Sequence, residues 1–401
     1  MRKVKREVSS MAASLLAEKI ANNDDLLDQI LDRLPIKSLI RLQSVSKHWL
    51  SLVSTVYSRR NTRPNSASGL IMFCNSYTFI DFIDFNLRNT THFKFSGGPG
   101  PLKSLPFLES NAKEGIDLLH ACNGLLLFRT LDRNFYVANP TTKQCMKLPR
   151  PPSLARNNGC FIFNLAYDHC KSKHYFKVVC VTKSGYGSHK IEIYSSQTGR
   201  WKHSGFFNEY MHLNLDDYDG CSLGGVFWNG AIHWIRVGRL VYFNVEEGVL
   251  NIKGLPLPRD VDNMSKPRIN WYFEESRDHL LFIATFLLNG FHDVNPEFDI
   301  YELERDYSKW TFKFHVDLRE SVLPFVPKYN GIFHIIFVAP SKKDEESYMV
   351  LQTSGILVVY YYKTQTLTQI VSHPSRMINL PFQYFYPYIE SVARLNLNAD
   401  Q

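Results

Sequence analysis

At 401 residues the chain is long enough for two to three domains of roughly 150 residues each. Its 44% hydrophobic and 21% charged residues exclude a mainly disordered protein, and the 28 Phe and 21 Tyr favour pleated, half-buried surfaces over most of the length. No apolar run reaches the roughly 18 residues a membrane span needs, Leu280 to Leu288 being among the longest, so no membrane partner is expected.

The net charge of +8 comes from scattered Lys and Arg. The only dense basic run is Arg2, Lys3, Lys5 and Arg6, which reads as the start of a flexible, solvated N-terminus over residues 1–21. Residues 11–20 mix Ala and Leu with Glu18 and Lys19, which is not a secretory leader pattern. Seven cysteines with no C-x-x-C pair argue against a zinc site, and Cys160, Cys170 and Cys180, in aromatic or β-branched surroundings, read as buried reduced thiols. A nuclear or cytoplasmic location is the matching expectation.

From Asp24 the apolar spacing is helical. Leu27, Ile30, Leu31 and Leu34 fall on one stripe of a 3.6-residue helix, with Asn22 or Asn23 to cap it and Asp24 and Asp25 at its positive end. Pro35 ends this helix, since it restricts Leu34 and has no N–H to donate, and it can open a second helix carrying Leu39 and Leu42. Ser46 can cap a third with Trp49, Leu52, Val53 and Val56. So small a unit cannot bury enough apolar area to be comfortably stable alone, yet Leu26, Leu27, Ile30 and Leu31 spread over more than one face. Such a surplus suits either a partner or the following domain.

The ordered run Asp24-Asp25-Leu26-Leu27, Ile30-Leu31, Arg33 to Leu39, Arg41, Val45 to Trp49 and Leu52-Val53 resembles an F-box. The resemblance implies an F-box over 22–60 that docks on a Skp-type adaptor and so joins a cullin-RING (SCF-type) ubiquitin ligase. It also implies that Leu26, Leu27, Ile30, Leu31, Leu34, Pro35, Ile36, Leu39, Leu42, Val45 and Trp49 divide between the small core and the adaptor surface. Leu34→Asp, or Pro35→Ala with Leu39→Asp, is then expected to abolish adaptor binding and leave the following β-domain folded. A helix-turn-helix DNA reader would want polar base-reading side chains, and Lys47 and His48 beside Trp49 and Leu50 make a poor reading surface. Nucleic acid is not an expected partner.

After a polar linker over 61–69, short β-rich runs bounded by Gly, Asn, Pro and Asp take over. Asn123-Gly124-Leu125-Leu126 recurs as Asn229-Gly230-Ala231-Ile232. A Tyr follows each, thirteen residues on (Tyr136, Tyr242), then Asn139 or Asn244, then Leu148-Pro149 or Leu255-Pro256. Between these units, Ile191 to Tyr194 leading to Trp201 is echoed by Phe298 to Tyr301 leading to Trp310. Two landmarks at nearly one spacing predict alternating sheet units of about 50 residues, the size of kelch-type blades. The predicted architecture is an all-α three-helix head followed, over 70–401, by a kelch-like β-propeller of six or seven blades, with Trp or Tyr packed between neighbours. A further Asn-Gly at Asn330-Gly331 suggests a third copy.

The pieces Cys122 to Leu125, Asn139-Pro140-Thr141-Thr142, Tyr167-Asp168, Phe176 to Val179, Tyr194 to Trp201 and Tyr388 to Ser391 resemble, in order, the F-box-associated region of plant proteins. That resemblance implies a kelch-like domain that captures the protein to be ubiquitinated.

Chemistry is sparse. Asp216, Asp217 and Asp219 lack the Glu of a calcium loop, and His169, Cys170 and His174 lack a second ligand pair. No nucleophile elbow, phosphate-binding glycine loop or H-E-x-x-H helix occurs, so no catalytic residue, cofactor or metal is expected. The expected function is a non-catalytic substrate receptor with an unidentified protein target. The alternatives are a non-ligase binding adaptor, or a propeller binding glycan or nucleic acid.

Overall fold

A computed structural model describes residues 19–20, 23–61, 67–74, 79–85, 94–95, 99–105, 115–156, 161–169, 171–172, 174–183, 188–208, 224–236, 239–256, 269–276, 279–288, 293–294, 297–318, 333–339, 347–353, 356–369 and 383–395. Helices α1 (Asp24–Leu31), α2 (Ile36–Leu42) and α3 (Lys47–Asn61) form the head.

Six antiparallel sheets follow. Blade II is β4 (Ile116–Cys122), β5 (Leu125–Thr130), β6 (Phe135–Asn139) and β7 (Gln144–Leu148). Blade III is β8 (Phe161–Ala166), β9 (Lys177–Lys183), β10 (Ser188–Ser195) and β11 (Arg200–Asn208). Blade IV is β12 (Val226–Trp228), β13 (Ala231–Arg236), β14 (Arg239–Asn244) and β15 (Leu250–Gly254). Blade V runs β16 (Ile269–Ser276), β17 (His279–Leu288), β19 (Glu297–Leu303) and β20 (Trp310–Asp317), with β18 (Asp293–Val294) on β17. Blade VI is β21 (Phe333–Ala339), β22 (Tyr348–Thr353), β23 (Ile356–Tyr361) and β24 (Thr366–Gln369). Blade I joins the two ends of the domain: β25 (Gln383–Tyr388) pairs antiparallel with β1 (Gly69–Cys74), which continues to β2 (Phe79–Asp84) and β3 (Lys94–Phe95).

An apolar core fills every junction between blades. Ile71 and Tyr388 meet Leu118 and Phe128 between I and II. Leu127 meets Phe163 and Tyr194 between II and III, and Val181 meets Ile232 and Phe243 between III and IV. Trp228 meets Phe282 between IV and V, Ile283 meets Leu351 between V and VI, and Val350 and Val359 meet Leu70 and Phe85 between VI and I. The ring is therefore closed, a six-bladed propeller, and the lower of the two predicted blade numbers holds. Closure leaves no blade face uncovered.

The repeated motifs have local causes. Asn123-Gly124 and Asn229-Gly230 join the first and second strands of blades II and IV, with φ of 46° and 85° in one and 48° and 78° in the other, as a two-residue hairpin turn requires. Asn139 and Asn244 each open the turn to the fourth strand by accepting two backbone N–H groups, from Thr141 and Thr142 and from Glu246 and Glu247. Trp201 and Trp310 sit on the outer strands of blades III and V, and each indole N–H reaches back to the preceding blade, to Pro149 O at 2.7 Å and Gly254 O at 3.0 Å. Trp201→Phe keeps the ring but leaves Pro149 O without its donor. It is expected to cost about 1 kcal/mol in urea unfolding with an unchanged m-value.

Two expectations need correction. Tyr136 and Tyr242 are not equivalent: Tyr242 faces the following blade, with Trp228 and Leu240, whereas Tyr136 packs towards the preceding one, with Ile71 and Phe128. The pairing registers Leu127 with Val137 and His233 with Tyr242, so Val137 is the true counterpart; a slip of one residue turns a strand side chain to the other face. The third Asn-Gly, Asn330-Gly331, lies outside the described residues. The strand after it, β21, is the first of its blade, not the second, so it does not repeat the hairpin of blades II and IV.

Candidate functional site

Each head helix is set by its ends. Asn23 Oδ1 accepts from Leu26 N at 3.1 Å and caps α1, whose first turn carries Asp24 and Asp25. Pro35 stands at the N-cap of α2, and Ser46 Oγ accepts from Trp49 N at 3.2 Å at the start of α3. The core is Leu31, Leu39, Val53 and Val56, with Leu34, Leu42, Trp49 and Leu52 half-buried around it, and Leu27 is buried as well.

Of the residues expected to divide between core and partner, Leu27, Leu31 and Leu39 are buried, and Leu34, Ile36, Leu42 and Trp49 are half-buried. Leu26 (43%), Ile30 (44%) and Val45 (60%) stand exposed, as does Pro35. Leu26 and Ile30 lie one turn apart, about 100° round the helix from Leu27 and Leu31, so α1 presents one apolar edge inward and another outward. The propeller does not seal the outer edge. Leu50, 40% exposed on α3, joins the same class and was not singled out from the sequence, because its position beside Trp49 carries no periodic signal that separates surface from core.

The head is seated on the propeller by the segment after β25. Adjacent strands in each blade are antiparallel, so the turns joining first to second and third to fourth strands share one face, and the connections from blade to blade share the other. The first face carries 123–124, 140–143, 229–230 and 245–249, and the fourth strands of the blades end on the second. Beyond β25, residues 389–395 cross the first face over blade II. Asn139 Nδ2 donates to Ser391 O (3.0 Å) and Ala393 O (2.8 Å), Ser391 N donates to Thr141 Oγ1 (3.2 Å), and Leu395 N donates to Gln144 Oε1 (2.9 Å). Ala393 and Leu395 enter the core between blades II and III. The same segment meets the head through Glu390 and Lys37 (3.3 Å) and through Arg394 Nη2 donating to Gln43 Oε1 (2.9 Å).

The titratable groups in the blades serve the fold. Burial pulls His120 down to about 4; its Nδ1 accepts from Leu165 N at 3.1 Å, so the neutral ring carries its proton on Nε2 and donates to Gly225 O at 2.6 Å. Asn164 Oδ1 accepts from Gly225 N, so three innermost strands are pinned together there. His233, pulled down to about 3 by burial, bonds Val226 O through Nδ1 and Tyr307 Oη through Nε2. Burial pushes the Cys122 and Cys145 thiols up to about 12 and the Cys180 thiol well above its ordinary value, so none is a thiolate nucleophile at neutral pH. Cys160, Cys170 and the Asp216, Asp217 and Asp219 loop lie outside the described residues; His169 is half-buried and His174 exposed. Among the described residues no group of His, Cys, Asp or Glu is placed to hold a metal ion, and no helix is long and apolar enough to cross a membrane.

Comparison with known proteins agrees with this division. The F-box domain family matches residues 23–61, and the family described as the F-box associated beta propeller domain matches residues 71–260. The F-box protein At5g07610 of Arabidopsis thaliana is 28% identical over 418 residues, which span 94% of this chain and 91% of that one. The F-box protein At5g49610 of the same plant is 28% identical over 58% of this chain and 64% of its own, and the F-box/kelch-repeat protein At3g23880 is 26% identical over 52% and 57%. The F-box match over 23–61, the F-box associated beta propeller match over 71–260 and Arabidopsis F-box relatives along nearly the whole chain together make this a plant-type F-box protein with an F-box-associated β-propeller.

Proposed function

We propose that the chain is a substrate-recognition subunit of an SCF-type cullin-RING ubiquitin ligase, without catalytic residues of its own. Its head docks on a Skp-type adaptor and its propeller holds a target protein. The observation that carries this reading is that Leu26, Ile30, Val45 and Leu50 stand exposed on a small head whose other large apolar side chains are buried or half-buried. Such a receptor accelerates transfer by holding a target lysine near a ubiquitin-charged enzyme, which raises its effective concentration. The fourth strands of the blades end on the face opposite the head, which suits a target held away from the adaptor.

Leu39 is fully buried and Leu34 half-buried in the head core, so Asp at either would unfold the head rather than test its surface. The cleaner variant is Leu26→Asp with Ile30→Asp. It is expected to lose co-purification with a Skp-type adaptor while the urea unfolding of the propeller stays unchanged. Stoichiometric co-purification of the variant would overturn the reading.

A further inference from the structure

The segment after β25 has two sides, and they do different things. In an extended chain successive side chains point opposite ways. Ser391, Ala393 and Leu395 go to blade II: Ser391 lies over Gly124, and Ala393 and Leu395 are buried between blades II and III. Glu390 and Arg394 go to the head, one to Lys37 in the first turn of α2 and the other to Gln43 at its C-cap. Val392, between them, is 6% exposed and belongs to none of the cores between blades. Helix α2 therefore lies along the segment, held near both ends. The chain also enters the propeller on this side, since β1 is a second strand and starts on the face where β25 ends.

We propose that Glu390 and Arg394 are positioning residues, which fix the angle between the F-box and the propeller so that the head does not swing relative to the ring. The ring holds the segment by buried groups, and the segment holds the helix, so the head takes its bearing from blade II. Given the ligase reading above, this sets where a bound target stands relative to the adaptor; the geometric claim itself needs no adaptor.

Each contact to the head is partly exposed and individually weak, with Lys37 54% exposed, so the test reverses both at once. Spin labels on noncanonical residues at exposed Ser51 and Lys309 report the head-to-propeller distance in the full chain. The native chain is expected to give one narrow distribution. Glu390→Lys with Arg394→Glu should broaden it, and adding Lys37→Glu with Gln43→Arg should narrow it again. The ring holds the segment through Ser391, Ala393 and Leu395, which these variants leave in place, so the unfolding midpoint of the propeller should stay in place, which separates lost bearing from lost fold. An unchanged distribution in the first variant, or no recovery in the fourfold one, overturns the proposal. Retained adaptor binding with a broadened distribution supports it, and lost adaptor binding in the Leu26→Asp, Ile30→Asp chain bears only on the ligase reading.

Discussion

Replacing Asn139 by Leu is expected to lower the unfolding free energy by roughly 3–5 kcal/mol, because this one side chain satisfies partners on both sides of the ring closure. Asn139 is fully buried. Its oxygen accepts from Thr141 N and Thr142 N, and its nitrogen donates to Ser391 O and Ala393 O. Leu matches the shape and offers neither, so buried backbone groups on two segments lose partners at about 1–3 kcal/mol each. The comparison that isolates the strap is Gly124→Ala against Gly230→Ala. Both glycines have positive φ, 85° and 78°, so each substitution carries the same left-handed cost of about 1–2 kcal/mol. At Gly124 the new Cβ would lie 2.4 Å from Ser391 Cβ and 2.5 Å from Ile389 O, backbone that cannot easily move. At Gly230 the nearest described atom is the mobile end of Lys171, at 3.7 Å. Urea unfolding should therefore show Gly124→Ala clearly the worse, and equal losses would mean that residues 389–395 do not clamp the ring.

What could be read from the chain alone was what is locally determined. Caps at Asn23 and Ser46 and the stop at Pro35 depend on side chains within three residues of the backbone they serve. The hairpin turns at Asn123 and Asn229 depend on two residues, and Trp201 and Trp310 repeat because blades repeat. Long-range pairings were invisible. Nothing in Gln383–Tyr388 distinguishes it from other aromatic runs, yet it is the innermost strand of the blade that begins at Gly69. Asn139-Pro140-Thr141-Thr142 and Tyr388 to Ser391 stood out as separate motifs, and only the fold reveals that they bind each other. The Tyr136 and Tyr242 match failed because the second and third strands pair one residue out of step in the two blades, Leu127 with Val137 but His233 with Tyr242. In the head, adjacent Leu26 and Leu27 look alike in sequence; one is 43% exposed and the other 3%, since leucines surround much of α1 and period alone does not choose the inward edge.

Acid should weaken the propeller well above the range in which carboxylates protonate. His120 and His233 are held neutral in the fold, at about 4 and about 3, against an ordinary value near 6.5. The unfolded chain takes up protons near 6.5 while the folded chain refuses them. The stability these two rings contribute is complete above 6.5 and is lost as pH falls towards their folded values. By pH 4 the loss from His120 alone is about 3 kcal/mol, with His233 adding a comparable amount. Glu274 works in the opposite direction: burial, and then the charge of Glu275, push it up to about 8, so its contribution is present below 4.5 and fades as pH rises through 8. Lys190 and Ser153 hold Glu192 below the usual carboxylate range despite its burial, and that contribution is lost only near and below 4.5. Between pH 6.5 and 5 Glu274 therefore opposes the imidazoles, and His334, also lowered by burial, acts with them, so each ring is read from the difference between the native chain and its variant. Urea unfolding from pH 6.5 to 5 should show stability falling less steeply with acid in His120→Gln or His233→Gln than in the native chain, by a comparable amount in each. Gln can still donate to Gly225 O but leaves Leu165 N without the Nδ1 acceptor, a loss independent of pH that lowers the whole curve and leaves its slope to report the proton. A slope identical to that of the native chain in His120→Gln would mean that the ring joining β4, β8 and β12 is not held neutral in the fold.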